Sequence, residues 1–133
     1  MKVIGIIIII VFFGIVLMQL KMYLDSQKIK GLSIPDDVEK LLGRGDTTHS
    51  QRSLVYFYSP SCGPCRSMTP VIDKLISEGK PAAKVDINDS PEVASRLGIR
   101  ATPTTLVINN QIIEKVILGA QSEQKLLQLL KGV

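Results

Sequence analysis

The only two cysteines of this 133-residue chain stand three apart in Cys62-Gly63-Pro64-Cys65. A dithiol at this spacing closes into a disulfide within one helical turn, so it is a two-electron switch that needs no cofactor beyond itself. With Cys62 at the start of a helix, its thiolate would accept the Cys65 backbone N–H and face the positive helix end. Cys62 is therefore the expected attacking thiol and Cys65 the resolving one. Lowering a thiol pKa from about 8.5 to about 7 takes about 2 kcal/mol, within reach of a helix end plus one charge-assisted hydrogen bond, with Arg66 adding a little. Because nucleophilicity falls with pKa, the net rate gain is only a few-fold. The larger contributions are the positioned second thiol and the better leaving ability of Cys62. Gly63 and Pro64 keep the loop small and stiff.

Two other uses of the pair fit less well. A closed zinc site needs four ligands, and besides carboxylates the chain offers only His49, in a polar stretch, so no metal is expected. A purely structural disulfide is disfavoured because so short a loop constrains the unfolded chain little.

The elements that must position the pair alternate in type. Leu54-Val55-Tyr56-Phe57-Tyr58 is a continuous apolar run of strand length, suited to burial on both faces. Ser59-Pro60-Ser61 break it. The dithiol then opens a helix with apolar Met68, Val71, Ile72, Leu75 and Ile76 at spacings of three and four, in which Pro70 predicts a kink. Residues 82–87 form a second strand, and Ser90 with Pro91 starts a helix that Gly98 ends. Residues 104–108 and 112–118 flank Asn109-Asn110-Gln111 as an antiparallel hairpin, since Asn tolerates a left-handed backbone. An amphipathic helix from Ser122 to Leu130 follows. Before the dithiol, residues 34–42 read as a short helix closed by Gly43, and 43–51 as a polar loop.

Residues 3–20 run without a charge between Lys2 and Lys21. Roughly 18 residues make a helix of about 27 Å, close to the hydrocarbon thickness of a bilayer. The flank after it lacks a small-X-small cleavage site, so an uncleaved, lipid-embedded anchor is expected. The organisation is then an anchor over 1–20, a juxtamembrane linker over 21–33 and one folded domain over 34–133. Most of the formal charge of +4 belongs to residues 1–30, which hold four Lys and one Asp; the remainder is nearly neutral. That excludes a nucleic-acid footprint and puts Lys21, Lys28 and Lys30 beside lipid head groups. The positive-inside count favours a cytoplasmic domain. The Met-Lys start before an apolar run instead resembles a bacterial export signal, and an extracytoplasmic domain, periplasmic or at the cell surface, is taken as the expectation.

Beyond the dithiol, Pro70, Lys84-Val85-Asp86, Gly98-Ile99-Arg100-Ala101-Thr102-Pro103-Thr104 and Leu118-Gly119-Ala120 follow in order, and in this order they resemble thioredoxin, collinear over roughly residues 34–133. The resemblance implies an α/β thioredoxin fold, a mixed sheet flanked by helices, with the dithiol at the C-terminal edge of a strand. It also implies a cis Pro103 against the dithiol, where a substrate strand docks. Thioredoxins usually carry a buried Asp where this chain has Tyr56, and Trp where it has Ser61. The family's proton acceptor for Cys65 is thus replaced, and Lys84, whose counterpart neighbours that Asp, is no base while charged. Tyr56 either hydrogen-bonds within the site or simply fills the core. Thr102, where thioredoxins proper have Ile, is met in more oxidising relatives. The expected activity is reduction of protein disulfides, with an unidentified redox partner donating or accepting electrons. Disulfide oxidation or isomerisation, or a non-catalytic docking module on the membrane, are the alternatives.

Overall fold

The computed structural model describes residues 1–41 and 52–133; the predicted helix stop at Gly43 and the polar loop with His49 lie outside them. Helix α1 (Lys2–Gln27) contains the apolar stretch, none of which is buried. It is long and apolar enough to cross a bilayer. Helix α2 (Asp36–Leu41) precedes β1 (Ser53–Tyr58), α3 (Cys65–Ser77) and β2 (Ala82–Asp86). Then come α4 (Pro91–Arg96), β3 (Thr104–Asn109), β4 (Ile112–Leu118) and α5 (Glu123–Lys131).

The four strands form one mixed sheet in the order β2-β1-β3-β4, with β1 parallel to β2 and the other pairs antiparallel. β1 and β3 are central and buried on both faces, as their unbroken apolar runs require. Alternation divides their side chains. Val55, Phe57, Leu106 and Ile108 join Val38 of α2 and Val93 of α4 in one core. Leu54, Tyr56 and Val107 join Met68, Ile72 and Leu75 of α3 and Leu126 of α5 in the other.

Local signals read from the sequence hold with small shifts. Ser122 caps α5 by accepting the Lys125 N–H at 3.3 Å, and Gly132 closes it in the left-handed conformation. Ser90 occupies the cap position of α4 without a side-chain bond, and Pro91 starts the helix. The hairpin turn puts both Asn110 (φ 51) and Gln111 (φ 65) in the left-handed region, so Gln111 shares the role assigned to asparagine. Helix α3 runs on through Pro70.

Residues 21–33, read as a linker, divide differently. α1 continues to Gln27, Ile29 and Ile34 are buried in the core, and Ser33 bridges Ile112. Three backbone bonds lay this segment along the outer edge of β4: Gly31 N–H to the Ile113 carbonyl, Ile113 N–H to the Leu32 carbonyl and Ile34 N–H to the Gln111 carbonyl.

Candidate active site

β1 delivers the chain to the C-terminal edge of the sheet, where Ser59, Pro60 and Ser61 end the strand. The Cys62 N–H donates to the Ser59 carbonyl at 3.0 Å, and the Ser59 and Ser61 hydroxyls lie 2.9 Å apart. Pro64 stands at the cap position of α3, its φ of −61° already helical, so the helix begins at Cys65 rather than at Cys62. Cys62 sits in the turn before it. The expected contact survives, with the Cys65 N–H pointing at Cys62 Sγ from 3.2 Å.

Cys62 and Cys65 are joined as a disulfide with Cα atoms 5.3 Å apart. Cys65 is 2% exposed, whereas Cys62 is half-buried, so only Cys62 presents its sulfur to an incoming group. A cleft of about 300 Å³ opens beside it, lined by Cys62, Cys65, Tyr58, Pro60, Arg66 and Pro70 among others. Gly63, Pro64 and Arg66 are exposed around its rim.

The Thr102–Pro103 peptide is cis. Thr104 pairs with Phe57, so Pro103, one residue before, falls alongside the end of β1 where the dithiol loop departs. Two bonds clamp this turn: the Gly119 N–H donates to the Pro103 carbonyl at 2.9 Å, and the Thr104 hydroxyl to the Ala101 carbonyl at 2.7 Å. Pro103 is buried and Thr102 half-buried.

Tyr56 both fills the core and hydrogen-bonds within the site. It is fully buried, and its hydroxyl lies 3.4 Å from the Cys65 carbonyl, to which it donates, and 3.0 Å from the Thr69 hydroxyl. Burial pushes the phenol pKa up, and the Thr69 bond opposes this only in part, so the group under Cys65 is a neutral hydroxyl. Lys84 lies opposite Tyr56 in the β1–β2 register. Its ammonium donates to the Asp73 carboxylate at 2.6 Å, a bond that raises its pKa and keeps it charged. It also stands 5.9 Å from the Tyr58 ring centroid, and that ring stacks on Tyr56 at 5.5 Å.

The sequence reading missed Tyr58, Thr69 and Asp73. Thr69 and Asp73 follow Cys65 at steps of four, one face of α3, and Tyr58 follows Tyr56 at the strand period of two. Those spacings were a usable signal. The pairing that brings Lys84 to them is not visible along the chain.

Comparisons with known proteins agree with this geometry. The thioredoxin family model matches residues 45–132. Chloroplastic thioredoxin M5 of Oryza sativa subsp. japonica is 46% identical over 70 residues, 50% of this chain and 41% of that protein. Thioredoxin 1 of Nostoc sp. is 38% identical over 81 residues, 59% of this chain and 76% of that protein. The chain spans less than half the length of the rice protein and of the M-type thioredoxin of Zea mays, 41% and 48%. Among solved structures, reduced Schistosoma mansoni thioredoxin pre-protein superposes with a TM-score of 0.60 at 28% identity, covering 76% of this chain and 93% of that one. Oxidised mitochondrial thioredoxin 3 of Saccharomyces cerevisiae superposes with a TM-score of 0.58 at 24% identity, covering 82% and 99%. The family model covers the strands, the dithiol turn and the cis-proline together, and this chain is a member of the thioredoxin family.

Proposed function

We propose that the protein is a membrane-tethered thiol:disulfide oxidoreductase that reduces protein disulfides. The observation that carries the reading is the asymmetry of the pair: an accessible Cys62 sulfur that receives the Cys65 N–H, over a buried Cys65. In the reduced enzyme the Cys62 thiolate attacks one sulfur of a client disulfide, forming a mixed disulfide and expelling one client thiolate, which takes up a proton. Cys65 then loses its proton and attacks Cys62 Sγ. The Cys62–Cys65 disulfide forms and the second client thiol leaves, so the client gains the electron pair that the dithiol gives up. A dithiol partner must restore that pair. An extended client segment docks beside Pro103 by main-chain hydrogen bonds.

Insulin reduction by the full chain in detergent, driven by dithiothreitol, tests the activity. Turnover should vanish in Cys62→Ser, and an unchanged rate in that variant defeats the reading. A full cellular phenotype retained by Cys62→Ser/Cys65→Ser would assign the protein to docking instead.

Direction rests on Cys-Gly-Pro-Cys, which supports a reductant, against Thr102, which favours a more oxidising protein. A reduction potential well above that of glutathione would make it an oxidase or isomerase. The exposed apolar helix supports the tether, and the extracytoplasmic side is proposed from the Met-Lys start alone, against the positive-inside count. Intact mass of the protein recovered from membranes tests it, since cleavage would remove the helix.

A further inference from the structure

We propose that the dithiol works against the membrane surface, on disulfides held by membrane-embedded proteins close to the lipid head groups. This rests on the tethered oxidoreductase reading and adds where, along the bilayer normal, the chemistry occurs.

The argument is one of register. Phe57, Thr104 and Leu118 stand in a row across β1, β3 and β4, at the pole of the sheet that carries Cys62 and Pro103. The anchor joins at that same pole. The Gln27 side-chain amide donates to the Val116 carbonyl at 3.2 Å, two residues from the end of the row. Ile29 encloses a small cavity with Gly98, Arg100, Thr104 and Leu118, so the base of α1 abuts the loop that leads into Pro103. At about 4.8 Å per strand, β4 and β1 are about 10 Å apart, whereas the opposite pole is a strand length, about 20 Å, further from the anchor.

Little slack remains for the domain to turn over. Between the end of α1 and the first residue bonded to β4 through its backbone, Gly31, lie residues 28–30, and Ile29 among them is buried. The apolar stretch of α1 has no buried part, so it leaves the domain instead of lying along it. Exposed Lys21, Arg66 and Arg100 offer this pole cations for anionic head groups. The acids Asp89 and Glu92 flank the start of α4, tied through the Ser90 N–H to the Asp86 carbonyl at the end of β2; they share this pole but lie at the β2 edge of the sheet, opposite the β4 edge where α1 joins. A disulfide beside the bilayer thus meets Cys62 without the domain moving, while one far above it must reach down past the body of the domain.

The test places the full chain in vesicles of phosphatidylcholine and phosphatidylglycerol that carry a head-group nitroxide. A fluorophore is attached at Cys62 in the Cys65→Ser chain, or at Arg66→Cys or Lys80→Cys in the Cys62→Ser/Cys65→Ser chain. Both near-pole labels should be quenched several-fold more than the Lys80→Cys label. In the same vesicles the native chain should reduce a disulfide placed directly after a transmembrane peptide about ten-fold faster than the same disulfide on a long Gly/Ser spacer, through its higher effective concentration. Equal quenching at the two poles, stronger quenching at Lys80→Cys, or no preference between the peptides overturns the orientation. A chain that washes off the vesicles overturns the tether as well, and one that stays but reduces neither peptide overturns the oxidoreductase reading.

Discussion

The face of the sheet under α2 and α4 is filled by Val55, Phe57, Val85, Leu97, Leu106, Ile108 and Ile113, while the face under α3 and α5 sets Tyr56 and Cys65 among its leucines. Thr105, paired with Tyr56 across β1 and β3, adds a buried hydroxyl with no protein partner among the described residues. The strands are shared, so the difference lies wholly in which residues alternate to which side. The first face is an almost wholly apolar core whose contribution is burial, with buried hydroxyls at its two ends, Ser53 without a partner among the described residues and Thr104 bonded to the Ala101 carbonyl. The second sets the Tyr56 hydroxyl in mid-sheet, bonded to Thr69 and to the backbone carbonyl of the resolving cysteine, so part of its interior is given to polar contacts beside the dithiol.

Substitutions can break or sharpen this contrast. Phe57→Ala on the apolar face should cost about 3–5 kcal/mol, through lost burial and the cavity left behind, in urea unfolding of the full chain in micelles. A loss under about 1 kcal/mol would mean that this face is not a close-packed core. Tyr56→Phe on the other face keeps the ring and removes only the bonds to Thr69 and the Cys65 carbonyl, so the cost should be about 1 kcal/mol. Should it match Phe57→Ala, the division between the faces fails.

Within the face under α3 and α5, the two poles also predict different pH limits. Tyr56 has its pKa raised by burial, so the fold favours the neutral phenol; that contribution is complete below about pH 10 and is lost as pH rises through the raised value. Lys84, raised by its bond to Asp73, acts in the same direction, weakened by its exposure. Tyr56→Phe should therefore shift the onset of alkaline unfolding to higher pH, followed by circular dichroism. An unmoved onset would show that this phenol does not set it.

The smallest effect is expected at Glu114, at the far pole on the α5 side. Arg52 grips its carboxylate through two bonds, of 2.9 and 3.1 Å, which hold its pKa below the usual value. That contribution is present above about pH 4.3 and is lost as pH falls through the lowered value. Glu114→Gln should flatten the acid limb of the stability curve and leave the alkaline limb alone. A change on the alkaline side would join two regions separated here.

How much of this was legible along the chain depends on the range of the interaction. The hairpin, the Ser122 cap and the Pro91 helix start are set by neighbours within a few residues and stand where their local signals put them, whereas the dithiol turn keeps the Cys65 N–H to Cys62 contact but starts its helix three residues later than read. Tyr56 announced itself as a departure from a known pattern, but not what its hydroxyl would touch. Thr69 comes from α3 and Lys84 from β2, and only the parallel register of β1 with β2 brings that lysine to the tyrosine pair. The segment 29–34 was the least legible. Ile29 and Ile34 are isolated apolar residues with no period, and their place is decided by β4, about eighty residues on.

The three backbone bonds along β4 have one more consequence. β4 is the last strand of the sheet, and without residues 31–34 its amides and carbonyls would face solvent as a template for another chain. The stretch that follows α1 therefore also guards the domain against self-association. A version trimmed to begin after residue 34 would expose that template and be prone to pair edge to edge, whereas one trimmed just before residue 28 keeps its cover.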